Sequence, residues 1–472
     1  MSAVRSTTDR DLTVLTLVVA AAVFLDAYCL GCKSLWLDEG FTLGNMYLGG
    51  FEFLKHVVGD PAMPLYYGLL RVWAVFGTGE AFVRAFSILP AAAAIPIIYV
   101  LGRRLMGRAQ GLIAALLLAT NSFVVSYAQE ARGYTLAMML ATLSTLLFVG
   151  AIGNPSRRVW VQYVVVSALA LTAHMFGVYV ILAHAGSLLL LERRVRRSLP
   201  LAKVYGAITL VACLGAVPLV YLKVTGRTFG WIPPSFGDLL SAPSILAGHP
   251  WALTPYLLVA AIPIVVLSGS IRRRPSDEGW KLLLLTLWFV LPVVGSFLAS
   301  QVVPMFLTRY LIVAVPALAL LAAEGLTRLP RWLGAVALAT ILVFSVVGLR
   351  DWYTLPKDDW RSVTDYLADK ADPDDPLFFV RPSHPEAYTY YARRYPETPR
   401  PEIVSSDSAA LVPSITSELD GAGRFWVVGQ NSKPQTPFRQ VEPMLEMLDA
   451  HFHPLERVEF PGITLVLYSR TD

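Results

Sequence analysis

Eleven apolar stretches, most of them long enough to cross a lipid bilayer, follow one another along this chain near residues 12–32, 84–105, 109–127, 132–152, 158–173, 175–192, 201–222, 251–269, 280–300, 306–325 and 331–349. A hydrocarbon core needs about 20 consecutive apolar residues of helix to span it. The pattern therefore predicts an α-helical polytopic membrane protein with about eleven transmembrane helices. Composition points the same way. Of the 472 residues, 55% are hydrophobic and only 15% charged, which leaves far more apolar surface than a soluble core of that size buries.

The net charge of +5 does not mark a nucleic-acid partner, because the arginines stand in short clusters between apolar stretches and not along one face. Such clusters record membrane orientation. Residues 64–77 (PLYYGLLRVWAVFG) are apolar and helical in pattern but only about fourteen long, with Arg71 in the middle, and read as an interfacial or re-entrant helix. With that stretch left out of the count, Arg103-Arg104-Arg108, Arg157-Arg158, Arg193-Arg194-Arg196-Arg197, Arg272-Arg273-Arg274 and Arg328-Arg331 all fall on the side of the N-terminus. Counting it would split them between the two faces. The expected arrangement has a cytoplasmic N-terminus. The opposite, extracytoplasmic side then holds residues 33–83, the turn at 128–131, His174, the loop 223–250, the turn at 301–305 and everything after Arg350. Chemistry is expected on that side.

Residues 12–32 follow Arg5 and Arg10 as a signal peptide would, yet no small-x-small site precedes Lys33 and the run is long enough to span, which favours an uncleaved anchor helix. Cys29 and Cys32 form a C-x-x-C with no second pair for a zinc site, so they are expected as lipid-facing or packing residues. Beyond Arg350 the charge rises. Helix-like stretches (Trp360–Lys370, Pro385–Tyr395) alternate there with strand-like ones (Pro376–Val380, Arg424–Val428, Ile463–Tyr468). This predicts a soluble α/β domain over 351–472, following a membrane domain over 1–350. The sequence contains no internal repeat and no Gly-rich phosphate loop.

The strongest local signal is Ser34-Leu35-Trp36-Leu37-Asp38-Glu39-Gly40-Phe41, two adjacent carboxylates between aromatic residues just beyond the first helix. Acids held among aromatics at a membrane surface are costly to desolvate, which invites a reason beyond two solvated loop acids. Tyr127-Ala128-Gln129-Glu130-Ala131-Arg132-Gly133-Tyr134 crowds Gln129, Glu130 and Arg132 into the tightest outer turn, where an ion pair could also merely close the turn. Thr308-Arg309-Tyr310 sets one guanidinium against Val303, Met305, Phe306 and Leu307. It matches a lipid phosphate, or else snorkels to headgroups. Arg84 could serve the same phosphate. His174, at an outer helix end, is a pocket residue or a plain interfacial histidine, and Asp26 in the first helix is a structural polar contact or part of the site. Glu52, His56 and Asp60-Pro61 do not rise above loop background.

Taken together, W-L-D-E-G-F-T at Trp36–Thr42, D-P-x-x-P-L-Y-Y at Asp60–Tyr67, V-R-A-F-S at Val83–Ser87 and Y-A-Q-E-A-R-G-Y at Tyr127–Tyr134 resemble the GT-C superfamily. The likeness is greatest to the family 39 glycosyltransferases, which include protein O-mannosyltransferases and lipid A aminoarabinose transferases. It covers the membrane part and, more loosely, the rest. It implies a GT-C fold with interfacial helices in the first outer loop, in agreement with the independent reading of 64–77. By resemblance Asp38 is the catalytic acidic residue of the first loop and Glu39 its companion. Glu130 takes the place of a second acidic residue, with Glu where several relatives carry Asp. Arg309, Arg84, Arg132 and Tyr310 are then candidates for the donor phosphate, and Gln129, Tyr134, His174 and Tyr66 for the pocket.

The implied reaction moves a mannose-like or arabinose-like sugar from a polyprenyl-phosphate donor to a hydroxyl of a glycan, lipid or protein acceptor, in what is expected to be a bacterial plasma membrane. It needs a base near the attacking hydroxyl, which Asp38 fits, and cations near the leaving phosphate. Trp231, Pro233 and Pro234 could gate the lipid tail. The donor is already activated, so no nucleotide site or cofactor is required. A divalent cation shared by Asp38 and Glu130 is allowed, although no H-x-x-x-H or D-x-D string marks a dedicated metal site. The rival reading is a transporter or flippase of lipid-linked sugars; against it, the acids cluster in outer turns and no inverted repeat is visible. A receptor or assembly scaffold is a second rival.

Overall fold

A helix, or a broken pair of helices, stands at each of the eleven apolar stretches. The computed structural model describes residues 2–59, 63–224, 233–271, 276–380, 385–404, 408–419, 421–430 and 442–470. They belong to two units, one made of Met1–Leu30 with Phe51–Tyr353 and the other of Gly31–Gly50 with Thr354–Asp472. Among the described residues six helices are long and apolar enough to cross a membrane: Glu80–Leu105, Tyr134–Gly153, Pro250–Ser268, Asp277–Ser300, Thr308–Arg328 and Arg331–Thr354. The bent pair Arg108–Ala119 and Ser122–Ala128 makes a seventh if it is one span. The chain is a multi-pass membrane protein. Among the described residues three of the other expected stretches fall short of this measure for local reasons. The Ser2–Ala27 helix carries Arg10, Asp11 and Asp26, Arg157–Ala173 has 17 residues and Gly177–Ser187 has 11.

The stretch 109–127, expected as one span, bends by 57° between its two helices. Asn121 makes the break. Its Oδ1 accepts from the backbone N–H groups of Phe123 and Val124 at 3.0 and 3.2 Å and so caps the second helix, while its Nδ2 donates to the Leu246 carbonyl at 2.9 Å. The Val315–Arg328 helix is buried on every side from Val315 to Leu326, as a helix apolar all round should be. Its small residues allow close approach: a Cβ on Gly325 would run into the Val259 carbonyl of the neighbouring Pro250–Ile271 helix. Arg331–Thr354 instead buries only Gly334, Ile341, Ser345, Gly348 and Leu349, leaving an apolar surface suited to lipid. Residues 64–77 form a ten-residue helix, Pro64–Trp73, and a short 3-10 turn, Ala74–Phe76, too short to span.

Charged pairs hold one end of this unit. Arg108 pairs with Asp11, which also accepts from the Tyr99 hydroxyl at 3.0 Å. Arg328 bonds Glu324 at 2.8 Å and Glu278 at 2.7 Å, and Gln110 reaches Glu324 at 3.2 Å. Arg108 and Arg328, from two of the arginine clusters, are thus linked through Gln110 and Glu324, and Arg108 is tied to the first helix at Asp11. Arg272–Arg274 lie outside the described residues. At the other end of the first helix the sequence expectation for the cysteines is corrected: Cys29 and Cys32 are disulfide-bonded, and Cys213 is free. The helix stops at Ala27, so these two half-cystines belong to a turn and not to a lipid-facing helical surface.

The second unit contains a five-stranded sheet in the order β2-β1-β3-β5-β4, with β1 Leu377–Val380, β2 Pro401–Val404, β3 Arg424–Gln430, β4 His453–Phe460 and β5 Ile463–Ser469. β1 pairs in parallel with β2 and β3, and β3, β5 and β4 pair antiparallel. Both faces of β1 are covered. Phe378 and Val380 face a core with Leu411, Ile415, Leu445 and Leu448, while Phe379 stacks on Trp360. The expected helices and strands of this region are present, together with β2, β4 and the helices Ser408–Glu418 and Glu442–Asp449.

Candidate active site

The turn from Gln129 to Gly133 joins the Ser122–Ala128 and Tyr134–Gly153 helices and is buried throughout. Gln129 is committed to holding the first helix. Its Nε2 donates to the carbonyls of Asp26 and Tyr28 at 3.1 and 2.7 Å, and its Oε1 accepts from Trp352 Nε1 at 2.8 Å. Arg132 Nη1 donates to the Tyr67 hydroxyl at 3.1 Å, and its guanidinium stands 5.7 Å from the centre of the Tyr134 ring. The Arg132 carbonyl accepts from Ser87 Oγ at 3.2 Å; Ser87 in turn meets the Tyr66 hydroxyl at 2.9 Å and takes a bond from Thr135 Oγ1 on its carbonyl at 2.8 Å. Gly133 is required here, since a Cβ would lie 2.9 Å from Tyr66 Cβ. Three of the sequence strings, P-L-Y-Y, V-R-A-F-S and Y-A-Q-E-A-R-G-Y, therefore converge on Ser87. Arg84, one helical turn before it, is buried and donates to the Leu30 carbonyl at 2.9 Å.

A second group of predicted residues assembles around His174, in the turn between the Arg157–Ala173 and Gly177–Ser187 helices. Its ring centre lies 4.5 Å from that of Tyr310 and 6.1 Å from that of Tyr134. Burial holds the imidazole far below its ordinary range, to about 3, and the positive charges of Arg132 and Arg309 push it the same way. Arg309, in the first turn of the Thr308–Ala314 3-10 helix, stands 5.6 Å from the centre of the Tyr310 ring. Glu130, next to Ala131 and Arg132, is buried in the same turn.

Asp38 and Glu39 belong to the other unit, in the first turn of the Leu37–Met46 helix. They have different surroundings. Asp38 is half-buried at the helix N-terminus. Glu39 is enclosed, with Lys357 Nζ 3.8 Å from its Oε2. The segment is fastened by Tyr391, whose hydroxyl accepts from Leu35 N at 2.8 Å, and by Arg361, whose backbone N–H reaches Ser34 Oγ at 3.1 Å. A cleft of about 130 Å³ beside the helix is lined by Gly40, Gly44, Tyr47, Glu386, Tyr390 and Arg393 among others. Arg393 stacks 3.4 Å from the centre of the Tyr47 ring.

Lys357, Tyr67 and Ser87 were not singled out from the sequence. Tyr67 and Ser87 stand inside strings that were, but Lys357 lies in a charged stretch with no mark of its own. Asp60, Pro61 and Trp231 lie outside the described residues, while Pro234 accepts on its carbonyl from Gln301 at 3.2 Å. Among the described residues no three His, Cys, Asp or Glu side chains form a metal-binding group.

Residues 62–221, about a third of the chain, match the family described as dolichyl-phosphate-mannose-protein mannosyltransferase. No curated protein matches. Among solved structures the chain is similar to ArnT from Cupriavidus metallidurans bound to undecaprenyl phosphate, with a TM-score of 0.60 and 14% identity over 96% of this chain and 97% of that one. It is similar to the oligosaccharyltransferase AglB from Archaeoglobus fulgidus in complex with an inhibitory peptide and a dolichol-phosphate, with a TM-score of 0.53 and 10% identity over 99% of this chain and 75% of that one. A third likeness is to the arabinofuranosyltransferase AftD from mycobacteria, with a TM-score of 0.51 and 15% identity over 96% of this chain but 41% of that one. The likeness is one of fold, and the fold is that of the GT-C glycosyltransferases.

Proposed function

Proceeding from that fold, we propose that the chain moves a mannose-like or arabinose-like sugar from a polyprenyl-phosphate donor to a hydroxyl of a glycan, lipid or protein acceptor. The observation that carries this reading is that Arg132 stands 5.7 Å from the Tyr134 ring and Arg309 5.6 Å from the Tyr310 ring, and that both rings flank the buried His174. A guanidinium fork matches phosphate oxygens better than an ammonium does, and a phosphate at the end of apolar helices is what a lipid-linked donor offers. The fold adds support, since one protein that shares it was solved with undecaprenyl phosphate and another with dolichol-phosphate.

In the reaction the acceptor oxygen attacks the anomeric carbon from the face opposite the phosphate. The bond from that carbon to the phosphate oxygen breaks, the lipid phosphate leaves with the electron pair, and the acceptor's proton passes to Asp38. A positioned carboxylate supplies about 10²- to 10⁴-fold in rate. Its charge also steadies an oxocarbenium-like transition state. Arg309, Arg84 and Arg132, with Tyr310, offset the charge that grows on the phosphate. Glu39 and Glu130 complete the acidic set, and Tyr66, Tyr134 and His174 line the pocket. The donor is already activated, so the reaction requires no cofactor.

The N-terminus is assigned to the cytoplasm and the site to the opposite face of a bacterial plasma membrane. Arg108, paired with Asp11 in the N-terminal half of the first helix, supports this orientation, as does a disulfide-bonded C-x-x-C after its end.

Turnover of radiolabelled polyprenyl-phosphate sugars by purified protein tests the reading. Asp38→Asn should lose at least about 10²-fold in turnover with an unchanged melting midpoint. Full residual activity in that variant would remove Asp38 as the base. Mass spectrometry of envelope glycans in a deletion strain would identify the sugar and its acceptor.

A further inference from the structure

His174 carries a polar group that the transfer described above leaves unused. Its side chain is 1% exposed. The backbone N–H of Phe176 donates to Nδ1 at 3.2 Å, so Nδ1 presents a lone pair and the neutral ring holds its proton on Nε2. Among the described residues Nε2 meets no hydrogen-bond partner. The imidazole centre lies 4.5, 5.4 and 6.1 Å from the ring centres of Tyr310, Phe176 and Tyr134, and the guanidinium groups of Arg309 and Arg132 stand 5.6 and 5.7 Å from the Tyr310 and Tyr134 rings. The nearest acid in sequence to this group, Glu130, shares the turn with Arg132. A buried N–H beside two guanidinium groups lies in the field that draws an anion.

We propose that His174 Nε2–H donates a hydrogen bond to a phosphate oxygen of the lipid-linked donor, alongside Arg132 and Arg309. The inference rests on the glycosyltransferase reading and assigns that site one further donor. The bond strengthens as negative charge builds on the phosphate while the glycosidic bond breaks, and no proton is transferred in it. Because a backbone N–H fixes the tautomer, the donor is set before the lipid arrives. The ring also stays neutral across the physiological range, since burial and both arginines oppose a second proton.

Binding of undecaprenyl phosphate, undecaprenol and inorganic phosphate to the purified full-length protein in detergent tests this. His174→Phe keeps a ring and loses the N–H. His174→Gln keeps an amide N–H near the place of Nε2, and His174→Asn moves the amide towards the place of Nδ1. Wild type should bind undecaprenyl phosphate in preference to undecaprenol. His174→Phe and His174→Asn should weaken that binding about 10-fold, and His174→Gln should stay within about threefold. Parallel weakening of inorganic phosphate competition would place the bond on the phosphate itself; an effect on the lipid alone would assign it to the lipid-held headgroup. Unchanged affinity in the Phe and Asn variants overturns the assignment and leaves the transferase reading standing. No preference of wild type for undecaprenyl phosphate over undecaprenol overturns both. If the Phe variant does not fold, the Gln and Asn pair decides, and equal affinities in that pair reject the bond.

Discussion

Lys357 Nζ stands 3.8 Å from Glu39 Oε2, and both side chains are almost wholly out of water. The ammonium also lies 5.6 Å from the centre of the Trp36 ring, so the pair is set against aromatic surface. Removing one member of a buried pair strands the other charge, which costs about 3–5 kcal/mol. Glu39→Gln and Lys357→Met should each destabilise by that order, whereas the double variant should recover much of the loss. Melts of the four proteins measure the coupling, and strictly additive losses would show that the two charges do not depend on each other.

The next prediction concerns the residue after Glu39. A Cβ on Gly40 would lie 2.5 Å from Ala387 N and 2.7 Å from Ala387 Cα, both backbone atoms of the Glu386–Ala392 helix. Backbone cannot swing aside as a side-chain tip can, so Gly40→Ala should cost about 1–3 kcal/mol through separation of the two helices. Gly44→Ala, four residues on, meets nothing within 4 Å and should be neutral or slightly stabilising as a helix substitution. A lowered melting midpoint for both variants, or for neither, would contradict the contact.

How much of this was legible beforehand follows from the physics of each element. Long apolar runs announce membrane helices because a helix satisfies every backbone group within its own segment, and all eleven places carry helix. The break at Asn121 was not read, because a single polar residue in an apolar run looks like tolerance until its carbonyl caps two N–H groups. Two strands were passed over for opposite reasons: β2 is short and opens with Pro401, and β4 is an edge strand that exposes Glu456, Arg457 and Glu459 in varying degree. The grouping of residues 31–50 with the C-terminal region depends on contacts such as Leu35 with Tyr391, 356 residues apart, which no local pattern encodes. In the Y-A-Q-E-A-R-G-Y string polarity marked every candidate, yet only geometry separates Gln129, bound to the first helix, from Arg132, which donates to Tyr67 and lies by the Tyr134 ring.

That separation is itself testable. Gln129→Leu removes the bonds to the Asp26 and Tyr28 carbonyls and strands the indole N–H of Trp352. Unmet buried polar groups cost about 1–3 kcal/mol each, so the variant should lose several degrees of melting midpoint. Affinity for undecaprenyl phosphate in the fraction that remains folded should be unchanged. A selective loss of lipid binding without destabilisation would return Gln129 to the pocket.

Arg309 should behave in the opposite way. Truncation to Ala is expected to weaken undecaprenyl phosphate binding about 10- to 100-fold with little change in melting midpoint, and Arg309→Lys should restore only part of it because an ammonium lacks the fork. Binding isotherms of the three proteins decide, and an unchanged affinity in the Ala variant would remove Arg309 from the phosphate.

His174 also predicts how stability depends on pH. In the folded protein the imidazole titrates at about 3, whereas an exposed histidine in the unfolded chain titrates near 6.5. Below about pH 6.5 the unfolded state therefore binds a proton that the folded state refuses, and acid favours unfolding by up to about 1.4 kcal/mol per pH unit until the folded pKa is reached. Above pH 7 the residue contributes no pH dependence. Arg132, Arg309 and Glu130 are common to wild type and variant, so comparison with His174→Phe isolates the histidine. The stability of wild type relative to His174→Phe should fall by about 2 kcal/mol between pH 7 and pH 5 and stay level between pH 7 and pH 9. Melting midpoints of the two proteins in detergent across that range measure it, and a difference that is constant with pH would mean that the ring is not held neutral by its surroundings.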